Sequence, residues 1–224
     1  MKKNICIVVM LLVCVQFSNA QESEKRISNF IPEKGFTVLF DGSNLDSWTG
    51  NKTSYSIEDG TIAVKNVGKG GNLYTKEEYA NFILRFEFKL TEGANNGLGI
   101  RTPTEGNAAY VGMELQILDN TADMYKDLHC YQYHGSVYGV LPALRGYLKP
   151  VGEWNTQEVI ADGTKIKVTL NGTVILDGDI GLYIKNQKTI DGKPHPGLGN
   201  KKGHIGFLGH GSNLWFRNIS IKEL

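Results

Sequence analysis

The stretch Gly112-Met113-Glu114-Leu115-Gln116-Ile117-Leu118-Asp119 alternates apolar and polar residues almost to its end. As a strand it turns Met113, Leu115 and Ile117 to one face and Glu114 and Gln116 to the other. A carboxylate on such a face is either solvated or set in a polar cleft, where it can take up a proton or hold a cation. Leu118 breaks the alternation. One bulged residue there would return Asp119 to the face of Glu114 and Gln116, so the three are expected to share it.

The other groups with chemical potential follow later in the chain, where all five histidines lie: His129, His134, His195, His204 and His210. None has the HExxH spacing of a zinc site. Several adjoin glycine or proline, as in His134-Gly135-Ser136-Val137-Tyr138-Gly139, His195-Pro196-Gly197 and Gly209-His210-Gly211. Glycine on both sides of His210 lets the backbone approach a neighbour while the imidazole keeps its direction. Arg101 ends the apolar run of Leu98 and Ile100, as a site cation or as an ion-pair partner at a rim. Trp48, Trp154 and Trp215 read as core, Arg217 as structural, and Asp41, Asn44 and Asp46 as turn residues rather than a calcium loop.

Strands must position these groups. Phe82-Ile83-Leu84-Arg85-Phe86-Glu87-Phe88-Lys89-Leu90 has strict period two. Lys165 to Leu170 and Thr173 to Leu176 flank Asn171-Gly172, a strong hairpin signal because both turn positions tolerate positive φ. Asp59-Gly60 marks another hairpin, and His204 to Leu208 and Leu214 to Lys222 read as two more strands. Helix signals are limited to a turn at Thr75 to Tyr79 and another at Thr121 to Leu128. Lys185 to Gly203 reads as a long loop, of the kind that carries function. Short strands with 27 glycines and almost no helix predict an all-β, antiparallel two-sheet sandwich or barrel.

The chain begins with Lys2 and Lys3, an apolar run from Ile5 to Phe17, and Ser18-Asn19-Ala20 before Gln21. This is the pattern of a secretory signal peptide over residues 1–20, with a flexible lead-in over 21–30 and a single domain over 31–224. Export to the periplasm or beyond is the expectation; lipid attachment at Cys14 is an alternative that the bulky Val13 disfavours. No membrane span is expected once the signal is removed. Cys6 and Cys14 leave with it, so a disulfide framework is excluded and Cys130 reads as a small buried hydrophobe. With 24 basic and 23 acidic side chains, nothing recommends a nucleic-acid partner.

Glu114-x-Gln116-x-x-Asp119 resembles the Glu-x-Asp-x-x-Glu strand of laminarinase- and lichenase-type retaining glucanases. Gln116 stands where those enzymes have a central carboxylate, and Asp119 where they have a longer Glu. A closer resemblance spans some 180 residues. Gly35-Phe36-Thr37-Val38-Leu39-Phe40-Asp41-Gly42-Ser43-Asn44-Leu45-Asp46-Ser47-Trp48 resembles the opening signature of the 3-keto-disaccharide hydrolase family. Tyr79 to Arg85, Asn96 to Arg101, Glu114 to Asp119, Gly152 to Asn155 and Phe216 to Ile219 match further pieces in order.

The resemblance implies a concanavalin A-like jelly roll that takes a carbohydrate oxidised at C3. A ketone there acidifies the hydrogen on C2, so a base can start an elimination that needs no nucleophilic carboxylate. Glu114 or His134 is then the base, Tyr138 a proton donor, and Arg101 the holder of the developing negative oxygen. Gln116, Asp119 and His210 would contact substrate, and a divalent cation on Glu114 and a histidine could replace Arg101. The rival readings are a non-catalytic carbohydrate-binding module and a conventional retaining glycosidase.

Overall fold

The computed structural model describes residues 30–65, 70–186 and 188–224. The expected signal peptide lies outside them, as does the lead-in apart from Phe30.

Two antiparallel sheets face each other. The larger contains β1 (Thr37–Phe40), β3 (Tyr55–Glu58), β4 (Thr61–Val64), β6 (Phe82–Leu90), β9 (Trp154–Asp162), β10 (Lys165–Leu170), β11 (Thr173–Asp179) and β13 (Leu214–Glu223). Its order is β11-β10-β9-β6-β13-β4-β3, with β1 also paired to β13. The smaller contains β2 (Trp48–Gly50), β5 (Asn72–Tyr79), β7 (Asn95–Thr102), β8 (Met113–Leu118) and β12 (Gly203–Gly209), in the order β2-β5-β12-β7-β8. Among the described residues, two short helices, α1 (Ala108–Val111) and α2 (Gly181–Asn186), accompany the sheets. This is the antiparallel two-sheet sandwich that the strand pattern predicts, and the jelly roll that the family resemblance implies.

The sequence signals account for much of this arrangement. β6 alternates buried and half-buried residues along its whole length. β10 and β11 close on Asn171 and Gly172, whose φ values are 50° and 84°, as a primed turn demands. Phe207 of β12 stacks on Trp48 and on Phe216 of β13, while Phe86 meets Phe207 and Phe216 edge-on. These rings join the sheets, each burial stabilising by about 1.5–3 kcal/mol relative to exposure.

Four local expectations fail. Thr75 to Tyr79 is no helical turn: it belongs to β5, which is held by β2 on one side and β12 on the other. Ladder partners at its two ends, Trp48 opposite Thr75 and His204 opposite Glu78, outweigh the helix preference of Lys76-Glu77-Glu78. Cys130 is exposed, on a short 3₁₀ turn over Cys130–Gln132. Trp154 and Trp215 are half-buried on the outer face of the larger sheet. There Lys89 Nζ lies 5.2 Å from the Trp154 ring centre and 4.5 Å from that of Trp215, and Arg217 covers Trp154 at 3.9 Å.

The last correction concerns the strand of Glu114. β8 pairs with β7 without a register shift from Met113↔Ile100 to Leu118↔Asn95, so the expected bulge is absent. Met113, Leu115 and Ile117 pack between the sheets, and Leu118 continues the alternation onto the outer face. Asp119 begins the loop instead. Its carboxylate accepts from the backbone of Gly93 and Thr121 and from the Thr121 hydroxyl, which ties down the strand end.

Candidate active site

The outer face of the smaller sheet is open at β7 and β8 because β7 places Gly97 and Gly99 opposite Gln116 and Glu114. A Cβ on Gly97 would sit 2.0 Å from Glu114 Oε1. The glycine therefore makes the room in which the carboxylate lies flat on the sheet. The segment after β8 doubles back along its free edge: Val137 bridges Leu115, Gly135 N–H donates to Gln116 O, and Tyr138 N–H donates to Glu114 O at 2.9 Å. This covers the edge and turns the Tyr138 side chain to the same face as Glu114.

The result is a cleft of about 230 Å³. Glu114, Gln116, Asn95 and Leu118 form its floor, and Tyr110, Tyr138, Gln132, Tyr125 and His210 are among its walls. Glu114 is 4% exposed, and His210 Nε2 donates to its Oε1 at 3.3 Å. That hydrogen bond raises the His210 pKa above the ordinary imidazole value, against the opposing effect of burial. Gln116 Nε2 donates to Asn95 Oδ1 at 2.8 Å, which fixes the amide's orientation. Burial raises the Tyr138 phenol above its usual range, while the bond from Gln132 Nε2 partly offsets it. Tyr138 is thus a neutral donor at neutral pH.

Glu114, Gln116, Tyr138 and His210 are therefore brought together as expected, while three other expected residues lie elsewhere. Asp119 is occupied in the turn described above. Arg101, with φ 49°, is buried beyond the far end of the cleft. It donates through Nε to Ala80 O, through Nη1 to Gly163 O and through Nη2 to Asn81 Oδ1, and so fastens the β5–β6 connection between the sheets to the β9–β10 turn of the larger one. His134 lies between the sheets, stacked on Phe88 at 5.1 Å. Its Nδ1 accepts from Leu118 N–H, so Nε2 carries the hydrogen and donates to Gln157 Oε1 at 2.9 Å. Burial lowers its pKa to about 4, which leaves it neutral.

Asn95, Asn107, Tyr110 and Gln132 are cleft residues that the sequence reading missed. The alternation of Gly97 and Gly99 with Leu98 and Ile100 was the available sign, since glycines on one face of a strand mark a close approach. Glu114 and His210 offer two donors to a cation. Among the described residues no group of three His, Cys, Asp or Glu side chains gathers at one point. A cation held here would complete its shell from amides, hydroxyls, water or the ligand.

Gly97→Ala tests the floor. The added methyl must push the carboxylate aside, so kcat/KM is expected to fall about tenfold while the fold persists. Steady-state kinetics together with a thermal melt would show it. Unchanged kinetics would mean that the position of Glu114 is not critical.

A jelly roll with an amide-, phenol- and carboxylate-lined cleft on one sheet face belongs to the lectin and glucanase class of sandwiches. Residues 35–222 match the 3-keto-alpha-glucoside-1,2-lyase-like domain, and the chain belongs to that family. A Bacteroides thetaiotaomicron protein described as a 3-keto-disaccharide hydrolase is 27% identical over 254 positions, spanning 95% of this chain and 87% of that protein. A Parabacteroides distasonis crystal structure with a provisional glycosyl hydrolase designation superposes with a TM-score of 0.75 at 32% identity. The match covers 84% of this chain and 99% of that one. A Bacillus subtilis protein with a galectin-like fold has a TM-score of 0.56 at 14% identity, over 84% and 94% of the two chains, and shares the fold alone. The family, the Bacteroides relative and the Parabacteroides structure support a function of the glycoside hydrolase type.

Proposed function

We propose that this protein cleaves 3-keto-glycosides by elimination followed by addition of water. One observation carries the reading: Glu114 is the single carboxylate among the described residues lining the cleft. Retaining hydrolysis needs two carboxyl groups about 5–5.5 Å apart, and inversion needs two about 6.5–9.5 Å apart. Elimination needs one base.

In this reading Glu114 removes the hydrogen from C2 of the sugar, and the C2–H electrons form an enolate with the C3 ketone. Collapse of the enolate restores the ketone, forms a C1–C2 double bond and breaks the bond from C1 to the glycosidic oxygen. That oxygen takes a proton from Tyr138, whose neutral phenol stands beside Glu114. Water then adds at C1 while C2 regains a proton. His210 holds the Glu114 carboxylate in its direction, and Gln116, held by Asn95, offers its carbonyl oxygen to a sugar hydroxyl.

The test is turnover of 3-keto-disaccharides in deuterated water, with the unoxidised parent disaccharides as controls. The expected result is cleavage of the keto compounds alone, with deuterium at C2 of the released keto sugar. Cleavage without C2 deuterium would point to direct hydrolysis. Binding of both compounds without cleavage of either would return the protein to the binding-module reading.

A further inference from the structure

The elimination proposed above places negative charge on the C3 oxygen, yet no lysine or arginine is among the described residues lining the cleft. His210 is engaged by Glu114 and Arg101 lies elsewhere. A cation does reach one of the walls. Lys193 Nζ donates to the Tyr110 hydroxyl oxygen at 3.1 Å. Because that oxygen accepts, the Tyr110 O–H remains to be given, and no acceptor for it occurs among the described residues.

Lys193 is presented by a built support. Asp191 and His195 form a pair at 3.0 Å, with side chains 2% and 1% exposed. Asp191 Oδ1 also accepts from the Thr189 hydroxyl and from Lys193 N–H, which fixes the turn carrying the lysine. Burial works to raise the Asp191 pKa, but the bonds from Lys193 N–H, His195 and Thr189 bring it below the usual carboxylate value. The support is fastened to the cleft at two points. Ile190 and Asp191 N–H groups donate to the carbonyl of Gly139, the residue after Tyr138. The His195 ring packs on Tyr110, with centres 4.7 Å apart. Gly139 has φ 75°, and a Cβ there would lie 2.6 Å from Asp191 Oδ2 and 2.7 Å from His195 Nε2, so only glycine admits the pair.

The geometry points to Tyr110, polarised by Lys193 and seated by the Asp191–His195 pair, as the hydrogen-bond donor to the C3 oxygen of the oxidised sugar. Tyr110 is then a catalytic residue that stabilises the enolate, and Lys193, Asp191 and His195 are positioning residues. The division of labour is specific: Tyr110 serves formation of the enolate, and Tyr138 serves departure of the leaving oxygen. Among the described residues, the charged and titratable groups around this pair of phenols include Glu114, His210, Tyr125, Tyr131, Lys193, Asp191 and His195.

Solvent-deuterium exchange at C2 and bond cleavage, measured separately on a 3-keto-disaccharide, distinguish the two phenols. Tyr110→Phe and Lys193→Met are each expected to slow C2 exchange and cleavage together, by about tenfold, the scale of one charge-assisted hydrogen bond. KM is expected to move less than kcat. Lys193→Arg is expected to restore most of the loss, and Asp191→Asn to reproduce Lys193→Met. Tyr138→Phe is expected to slow cleavage more than exchange. Lys193 is exposed, so its variants test the role without disturbing the core. Normal exchange and cleavage in Tyr110→Phe or Lys193→Met, with an active wild type, would overturn this role and leave the elimination reading in place. A wild type unable to act on any 3-keto-disaccharide would remove both.

Discussion

Replacing Glu114 by Gln is expected to reduce turnover about 10²-fold or more, the scale of general-base catalysis. The substitution keeps the length, the planar end group and an acceptor for His210 Nε2, but removes the charge that takes the C2 proton in the proposed mechanism. Ligand affinity is expected to survive, because Gln116, Asn95, Gln132 and the two phenols are untouched. Steady-state kinetics paired with calorimetry on a 3-keto-disaccharide would check both halves. Undiminished turnover would dismiss Glu114 as the base, whereas lost binding with normal kcat would recast it as a binding group. The His210 pKa is raised by its bond to Glu114, so its imidazolium persists further into the alkaline range than that of an ordinary histidine and is lost only as the pH climbs past that raised value. The assistance that His210 gives to the carboxylate should decline on that alkaline side.

The second large effect concerns stability. His134 has a pKa of about 4 in the folded chain, owing to its burial, against an ordinary value of 6.5 when unfolded. Between these values the unfolded chain binds more protons, so stability is lost as the pH falls from about 6.5 towards 4. The full loss is on the order of 3 kcal/mol. Urea unfolding at several pH values would measure it, with His134→Asn as the comparison. That variant keeps a polar side chain beside Leu118 N–H but does not titrate in this window. It is expected to be less stable at neutral pH and to show a shallower acid decline. Equal slopes would mean that His134 is not the group responsible. Since the imidazole is sealed between the sheets, its replacement is expected to act on folding rather than on turnover per folded molecule.

The difference between Glu114 and His134 shows what was legible in the sequence. Glu114 lies in a strand, where period two alone assigns its face, and its burial beside His210 agrees with that assignment. His134 lies in irregular chain, where no periodicity states direction. Its role was set by Gln157 and Phe88, distant in sequence and brought near only by sheet packing. Arg101 ended a well-read strand, yet its left-handed backbone turns the guanidinium to Ala80, Asn81 and Gly163, which no local pattern announces. The bulge at Leu118 was inferred to rescue Asp119; a side chain capping the strand end was the simpler solution. The hairpins at Asp59-Gly60 and Asn171-Gly172 were legible because turn chemistry is local. Lys193 went unread because its importance rests on Tyr110, some eighty residues earlier, and on a buried pair beneath it.

The segment that closes the free edge of β8 also determines how this site can change over generations. The proposed base and leaving-group donor are joined by backbone ladder bonds, from Tyr138 N–H to Glu114 O and from Gly135 N–H to Gln116 O. Their separation is thus a property of the main chain, largely insulated from side-chain drift. Leu128 and Gln132 come from loops that make no such ladder. Insertion or substitution in those loops can alter which sugar or aglycone is admitted without resetting the distance between base and donor. The chemistry is inherited with the scaffold, and the choice of substrate is left to parts that can be exchanged.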